Sequence, residues 1–215
     1  MSGNEKSGEP YRKWERKKFK GRCLSPLIFL ERFSIMKSLK IYNVSQQYYN
    51  YVRRYDDKVP HMSGNKAGRP FIGIVLEIND SLYFAPLTSP KIKHLRMRNS
   101  VDFTKIDEGK LGAINFNNML PVPESEITEV ELKINIFDSK SLKAYKTLLE
   151  KQRIWCNEHK EHIYKKAEKL YNLIDNPDRI KIKERCCNFR LLEQKCREYE
   201  AGLSLKQEKV FEDEL

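Results

Sequence analysis

At 215 residues the chain is long enough for one sizeable core, and 40% hydrophobic with 33% charged residues describes a folded globular protein and excludes a disordered one. Lys and Arg total 41 against 30 Asp and Glu, so a net charge of +11 favours a polyanionic partner: RNA, DNA or an acidic membrane surface. No apolar run approaches the roughly 20 residues of a membrane span, and five cysteines, two of them adjacent at Cys186 and Cys187, fit a reducing compartment, not a disulfide scaffold.

Residues 1–35 carry nine Lys/Arg and four Glu without a sustained hydrophobic period. They are expected to be a disordered basic arm or an over-called start, with the folded unit opening at Met36, spanning 36–205 as a single domain and ending in a frayed acidic tail, 206–215. Leu39, Ile41 and Val44 predict a short strand. Tyr48, Tyr49, Tyr51, Val52 and Tyr55 then predict one or two helical turns. Tyr48, Tyr51 and Tyr55 are candidates to stack on bases, although aromatic residues on such a helix more commonly fill a core. Asp56 to Pro60 closes this segment, and His61 to Arg69 is a polar loop that brings Lys66 and Arg69 to the mouth of a hairpin.

That hairpin is the centre of the chain. Phe71 to Ile78 is an apolar run rich in β-branched residues, Asn79-Asp80-Ser81 is a turn cluster, and Leu82 to Leu87 is the returning strand. Pro86 and Pro90 bracket Leu87-Thr88-Ser89, remove two backbone donors and end the strand. Thr88, Ser89 and Lys91 are thereby set on a stiff turn, where two hydroxyls and an ammonium can surround an anion such as phosphate. An ordinary solvated turn is the competing reading.

Ile92 to Arg98 follows as a strand or loop whose Lys93, His94, Arg96 and Arg98 could track a phosphate backbone. Val101 to Ile106 and Leu111 to Val122 predict further strands, and Glu124 to Leu132 a connecting segment with an acidic face. The period then changes. Leu142, Tyr145, Leu149, Gln152 and Cys156 predict a long amphipathic helix over 139–157, capped by Ser139 or Ser141. Ile163, Ala167, Leu170, Tyr171 and Ile174 continue or restart it as far as Asn176-Pro177, and a third helix runs from about Asn188 to Gly202, where glycine can end it. Strands first and helices last define an α+β protein.

Metal chemistry finds little support. His159 and His162 lack the spacing and the Glu of a His-Glu-x-x-His helix, and adjacent Cys186 and Cys187 lack the spacer of a zinc pair, so neither a metal nor another cofactor is expected. A phosphate-binding Gly-x-x-x-x-Gly-Lys loop and a nucleophile elbow are both missing. Ser89 and Lys91 could form a hydrolase dyad with lysine as base. The basic flanks fit a charged lysine bound to a phosphodiester better.

Five ordered blocks carry a family resemblance: Asp56-Asp57-Lys58-Val59-Pro60, Phe71-Ile72-Gly73-Ile74-Val75-Leu76-Glu77, Ala85-Pro86-Leu87-Thr88-Ser89-Pro90-Lys91, Leu111-Gly112-Ala113-Ile114-Asn115 and Cys187-Asn188-Phe189-Arg190-Leu191-Leu192-Glu193. Together they resemble the ToxN/AbiQ family of type III toxin–antitoxin endoribonucleases, from about Leu39 to Tyr199. The resemblance implies a compact, partly open antiparallel β-barrel of the CcdB/MazF type with added helices. It implies metal-independent, sequence-selective cleavage of RNA in the cytoplasm, with a role in phage abortive infection or plasmid maintenance. It also implies inhibition by a small pseudoknotted antitoxin RNA, in a closed ring of alternating protein and RNA. Carried over by position, the catalytic residues are Thr88, Ser89 and Lys91, with Tyr48 in the strand-to-helix region. The family often has a lysine just before the Phe-Ile-Gly-Ile strand; this chain has Arg69, with Lys66 three residues earlier. Arg69 can stabilise phosphate but cannot shuttle a proton at neutral pH. Lys58, Lys66, Lys93, His94, Arg96 and Arg98 complete the expected RNA-binding set. The rival function classes are a non-catalytic nucleic-acid-binding barrel, which would leave RNA intact, and a Ser/Lys hydrolase, which a serine-directed acylating probe would label at Ser89.

Overall fold

The computed structural model describes residues 38–60 and 69–213. The expected arm at 1–35 and Lys66 lie outside them. Within this span seven strands form one antiparallel sheet: β1 (Lys40–Val44), β2 (Phe71–Ile78), β3 (Ser81–Thr88), β4 (Phe103–Lys105), β5 (Ala113–Asn115), β6 (Leu120–Pro121) and β7 (Ile127–Glu129). The spatial order is β4-β5-β3-β2-β1-β7, and β6 pairs with β3 off that path.

The hairpin expected from the sequence lies at the centre of this order. Its turn, Asn79 (φ 50°) and Asp80 (φ 59°), puts both central residues in the left-handed region that a two-residue hairpin demands and that Asn and Asp tolerate. Phe71, Ile72, Val75, Tyr83, Phe84 and Leu87 are all buried, so the two strands supply much of the core. The segment expected to connect at 124–132 contains β7, paired with β1 through Tyr42–Glu129 to Val44–Ile127. Its three residues are too few to show an alternating pattern. β4 and β7 are edges that no ladder joins; the sheet is open.

Among the described residues six α-helices accompany it: α1 (Gln46–Arg53), α2 (Ile92–Arg96), α3 (Lys140–Glu158), α4 (Lys160–Leu173), α5 (Ile180–Arg185) and α6 (Phe189–Asp213). Ser45 caps α1 by accepting the Tyr48 N–H at 3.1 Å, and Ser139 caps α3 by accepting the Leu142 N–H at 3.2 Å. The second expected helix is a restart, since His159 departs from helical angles (φ −112°, ψ 18°) between α3 and α4. The third passes through Gly202 and runs on to Asp213: glycine permits a stop there but does not compel one. α5 is too short for its period to be visible.

Helix and sheet are joined by buried polar contacts as well as by packing. Glu193 on α6, 3% exposed, accepts hydrogen bonds from Tyr83 of β3 (2.8 Å) and Tyr171 of α4 (2.5 Å). Asp56 accepts the Lys58 N–H at 2.9 Å and the Asn188 N–H at 2.6 Å. Two of the sequence blocks, 56–60 and 187–193, therefore meet at one carboxylate just before α6. Among the described residues no helix is long and apolar enough to cross a membrane.

Candidate active site

β3 delivers Thr88 to the edge of the core and Ser89 beyond it. Thr88 is half-buried; its hydroxyl donates to the Ala113 carbonyl at 3.3 Å, and the two residues are ladder partners between β3 and β5. Ser89, Pro90 and Lys91 are exposed, and Lys91 is extended (φ −141°, ψ 146°) immediately before α2.

Two residues fix this exit. Gly112 sits at φ +100°, and a Cβ there would fall 1.9 Å from the Thr88 carbonyl oxygen, so only glycine lets the two backbones meet. Gln152, 1% exposed on α3, donates its amide to the carbonyls of Thr88 (3.1 Å) and Leu111 (2.6 Å). Sequence reasoning missed its role, although the signal was present: a glutamine on the apolar stripe of a helix needs buried acceptors.

Arg69 joins the same place from β2. The ladder pairs Phe71 with Pro86, and the Leu87 N–H donates to the Pro70 carbonyl at 2.8 Å. Arg69 lies one residue before Pro70, whose carbonyl bonds the residue next to Thr88. The guanidinium charge also acts on Tyr49, whose phenol burial pushes well above the ordinary range while Arg69 and Arg53 oppose the rise.

The basic segment after Ser89 is a helix and its first residues, where the sequence predicts a strand or loop. A single inward side chain explains the difference: His94 alone is buried, too little for a helical period to show in the sequence. It is 2% exposed, its ring lies 5.9 Å from that of Phe103, and burial, with Lys93 and Lys91 adding repulsion, lowers its pKa. His94 is thus a neutral core side chain, not a surface contact for RNA. Lys91, Lys93, Arg96 and Arg98 are exposed, and among the described residues none of them is held in an ion pair. From Thr88 to Arg98 the chain contains no acidic residue.

Tyr48 departs from expectation. It is 0% exposed, on the buried face of α1, and donates its hydroxyl to the Pro121 carbonyl at 2.6 Å. Its ring packs 5.1 Å from that of Tyr199 on α6. Lys58 is exposed but donates to the Lys183 carbonyl of α5 at 3.2 Å, which ties it to that helix. Lys166 of α4, which the sequence did not single out, donates to the Phe103 carbonyl at 3.0 Å and to the Thr104 hydroxyl; burial lowers its pKa to about 8, against the pull of Asp102. Among the described residues no three His, Cys, Asp or Glu side chains converge as metal ligands.

The class is α+β: an open antiparallel sheet with helices added at its C-terminal end, carrying at the exit of its central strand a hydroxyl–lysine turn beside cations that hold no ion pair among the described residues. Residues 40–197 match the family model for Toxin ToxN, type III toxin–antitoxin system. Endoribonuclease ToxN of Bacillus thuringiensis subsp. kurstaki is 33% identical over 74% of this chain and 84% of its own length, and Endoribonuclease ToxN of Pectobacterium atrosepticum is 34% identical over 75% and 94%. Endoribonuclease AbiQ of Lactococcus lactis subsp. lactis is 28% identical over 80% and 94%. Among solved structures, one concerned with selective toxin inhibition by a non-coding RNA pseudoknot superposes with a TM-score of 0.66 at 30% identity, covering 76% of this chain and 99% of that one. The lactococcal anti-phage endoribonuclease AbiQ superposes at 0.65 with 26% identity, covering 77% and 99%. The chain belongs to the ToxN toxin family of type III toxin–antitoxin systems.

Proposed function

We propose that this chain is an endoribonuclease toxin that cuts RNA at the exit of β3. The observation that carries the proposal is the exposed Ser89–Lys91 turn, flanked by cations without ion-pair partners, in a chain whose relatives at 33% and 34% identity are endoribonucleases. In the reaction an RNA 2′-hydroxyl attacks its own phosphorus. The O2′–P bond forms and the P–O5′ bond breaks, and the proton released from the 2′-oxygen is matched by one gained at the 5′-oxygen. Charge grows on the non-bridging oxygens, and donors already fixed in place lower that barrier most. Lys91 meets this charge with an ammonium, Ser89 with a hydroxyl, and Arg69 from across the ladder; Thr88, whose hydroxyl is engaged with Ala113, holds the turn. Lys93, Arg96 and Arg98 bind the flanking phosphates.

The same reading supplies an inhibitor. A groove that accepts substrate phosphates also accepts a structured RNA, and one structural relative is a toxin selectively inhibited by a non-coding RNA pseudoknot. We place this chain with a pseudoknotted antitoxin RNA in a closed ring of alternating protein and RNA, in the cytoplasm, with its sheet curled as a partly open barrel and a role in phage defence or plasmid maintenance. The test is incubation of the purified protein with total RNA, followed by sequencing of the new ends. Recurrent cuts at one short sequence, lost in Lys91→Ala, are expected; intact RNA would leave only a binding protein.

A further inference from the structure

We infer that a cleft between α1 and α6, lined by none of the residues of the Ser89 turn, is a second RNA contact that takes a single unpaired nucleobase. This rests on the reading of the chain as an RNA-acting protein and adds a site to it. The cleft has a volume of about 310 Å³, lined by Gln47, Tyr51 and Arg54 on one side and Glu198, Tyr199 and Gly202 on the other. Its aromatic wall is continuous: the Tyr51 ring is 4.9 Å from Tyr199 and 5.2 Å from Tyr55, which is 40% exposed. Cations sit over the same rings, with the Arg54 guanidinium 5.2 Å from Tyr51 and the Lys195 ammonium 4.5 Å from Tyr55. Tyr199 is held by its hydroxyl, which donates to Glu126 at 3.0 Å.

Gly202 is the second, independent sign. Glycine is among the poorest helix formers, yet this one lies inside the 25-residue α6, and a Cβ there would meet nothing within 4 Å. No packing demand accounts for it. The missing side chain is part of the cleft.

The lining chooses the ligand. Glu198 in the cleft accepts from Gln194 at 2.8 Å and pairs with Lys195 at 2.7 Å; the lone pairs left on its oxygens can accept from the ring N–H or exocyclic amine of a base, while Gln47 can donate and accept. Stacking on Tyr51 and Tyr199 suits any base, because every base has a π-face. Arg54 and the exposed Arg197 remain at the surface for the backbone. The site is distinct from the cut. Tyr48 joins this aromatic cluster to Pro121, which pairs with Tyr83 near the start of β3, and at about 3.3 Å per residue the five steps to Thr88 cover roughly 16 Å.

The test uses an uncleavable 2′-O-methyl RNA 20-mer of mixed sequence, single-stranded or annealed to its complement, with binding read by fluorescence anisotropy at fixed salt. Gly202→Leu starts from a Cβ with no atom within 4 Å and puts an isobutyl group into the cleft; because leucine is the better helix former, its melting temperature should be no lower than the wild type's. Expected is a loss of about tenfold in affinity for the single strand, the size of one stacked base, and equal binding of the duplex by both proteins. Equal single-strand binding would overturn the inference, as would an equal loss on duplex, which would mark a phosphate groove. Irradiation of a 5-iodouridine 20-mer on the unaltered chain should cross-link Tyr51, Tyr55 or Tyr199, and cross-links confined to other residues would count against the cleft. Cleavage by the wild type reports separately: a chain that binds but never cuts fails the ribonuclease reading and leaves the cleft standing.

Discussion

Replacing Gln152 with Leu removes the one side chain that ties the Thr88 and Leu111 carbonyls to α3. Each buried carbonyl left without a donor costs about 1–3 kcal/mol. Part of that is offset, because the Gln152 Oε1 has no partner among the described residues and disappears with the substitution. A net loss of about 2–4 kcal/mol is expected, measured by equilibrium urea unfolding with fluorescence from Trp155, three residues along the same helix. Function should suffer beyond stability. The carbonyl of Thr88 leads directly into Ser89, and an ångström of misplacement at a reacting centre costs on the order of 100-fold in rate. Cleavage assayed well below the melting temperature should fall by about that factor. A destabilisation under about 0.5 kcal/mol with a wild-type rate would refute the claim that Gln152 positions the turn.

Lys91→Ala should slow cleavage by about 100- to 1,000-fold, the usual effect of losing one fixed charge-stabilising donor, while RNA affinity measured at the same salt changes little; a variant that cuts normally would remove Lys91 from the mechanism. Tyr48→Phe should cost about 1–2 kcal/mol, for a buried carbonyl at Pro121 loses its donor, yet leave the cleavage rate of the folded protein unchanged; loss of activity with stability retained would make Tyr48 catalytic after all. Burial pushes Cys156, Cys186 and Cys187 up to about 12 and Cys196 to about 11. Unfolded thiols release protons near pH 8.5, so stability is complete below that and falls as pH rises toward the folded values, by at most about 1.4 kcal/mol per pH unit for each thiol. Lys166, lowered to about 8, gives one group of opposite slope above that pH and is outweighed. Under reducing conditions the melting temperature should drop between pH 8.5 and 10, less steeply in Cys156→Ala; a rising curve would contradict the assignment.

The central hairpin was legible because two apolar runs, an Asn-Asp turn and two prolines all specify the same geometry. The long helices were legible through their periodic Leu, Tyr and Cys positions. Shorter elements were not: α2, α5 and β7 span five, six and three residues, fewer than a pattern needs. At the candidate site, the sequence placed Thr88, Ser89 and Lys91 on one turn and Arg69 at the mouth of the hairpin, two residues before the Phe71–Pro86 pair. His94 and Tyr48 turn inward for a reason the sequence does not show. A side chain's type says what it can do, whereas its direction depends on neighbours distant in sequence, here Phe103 and Pro121. Gln152 stood out in the sequence as a polar residue on an apolar stripe, but which acceptors it meets did not, since they lie 41 and 64 residues away.

The account rests most heavily on the nucleophile. Purified protein should be given an RNA containing its cut sequence, and a matched RNA with a single 2′-deoxynucleotide at the cut, both in excess chelator. The account predicts cleavage of the first alone, leaving a 2′,3′-cyclic phosphate and a 5′-hydroxyl. Cutting of the deoxy-substituted RNA, or products ending in a 5′-phosphate, would contradict it.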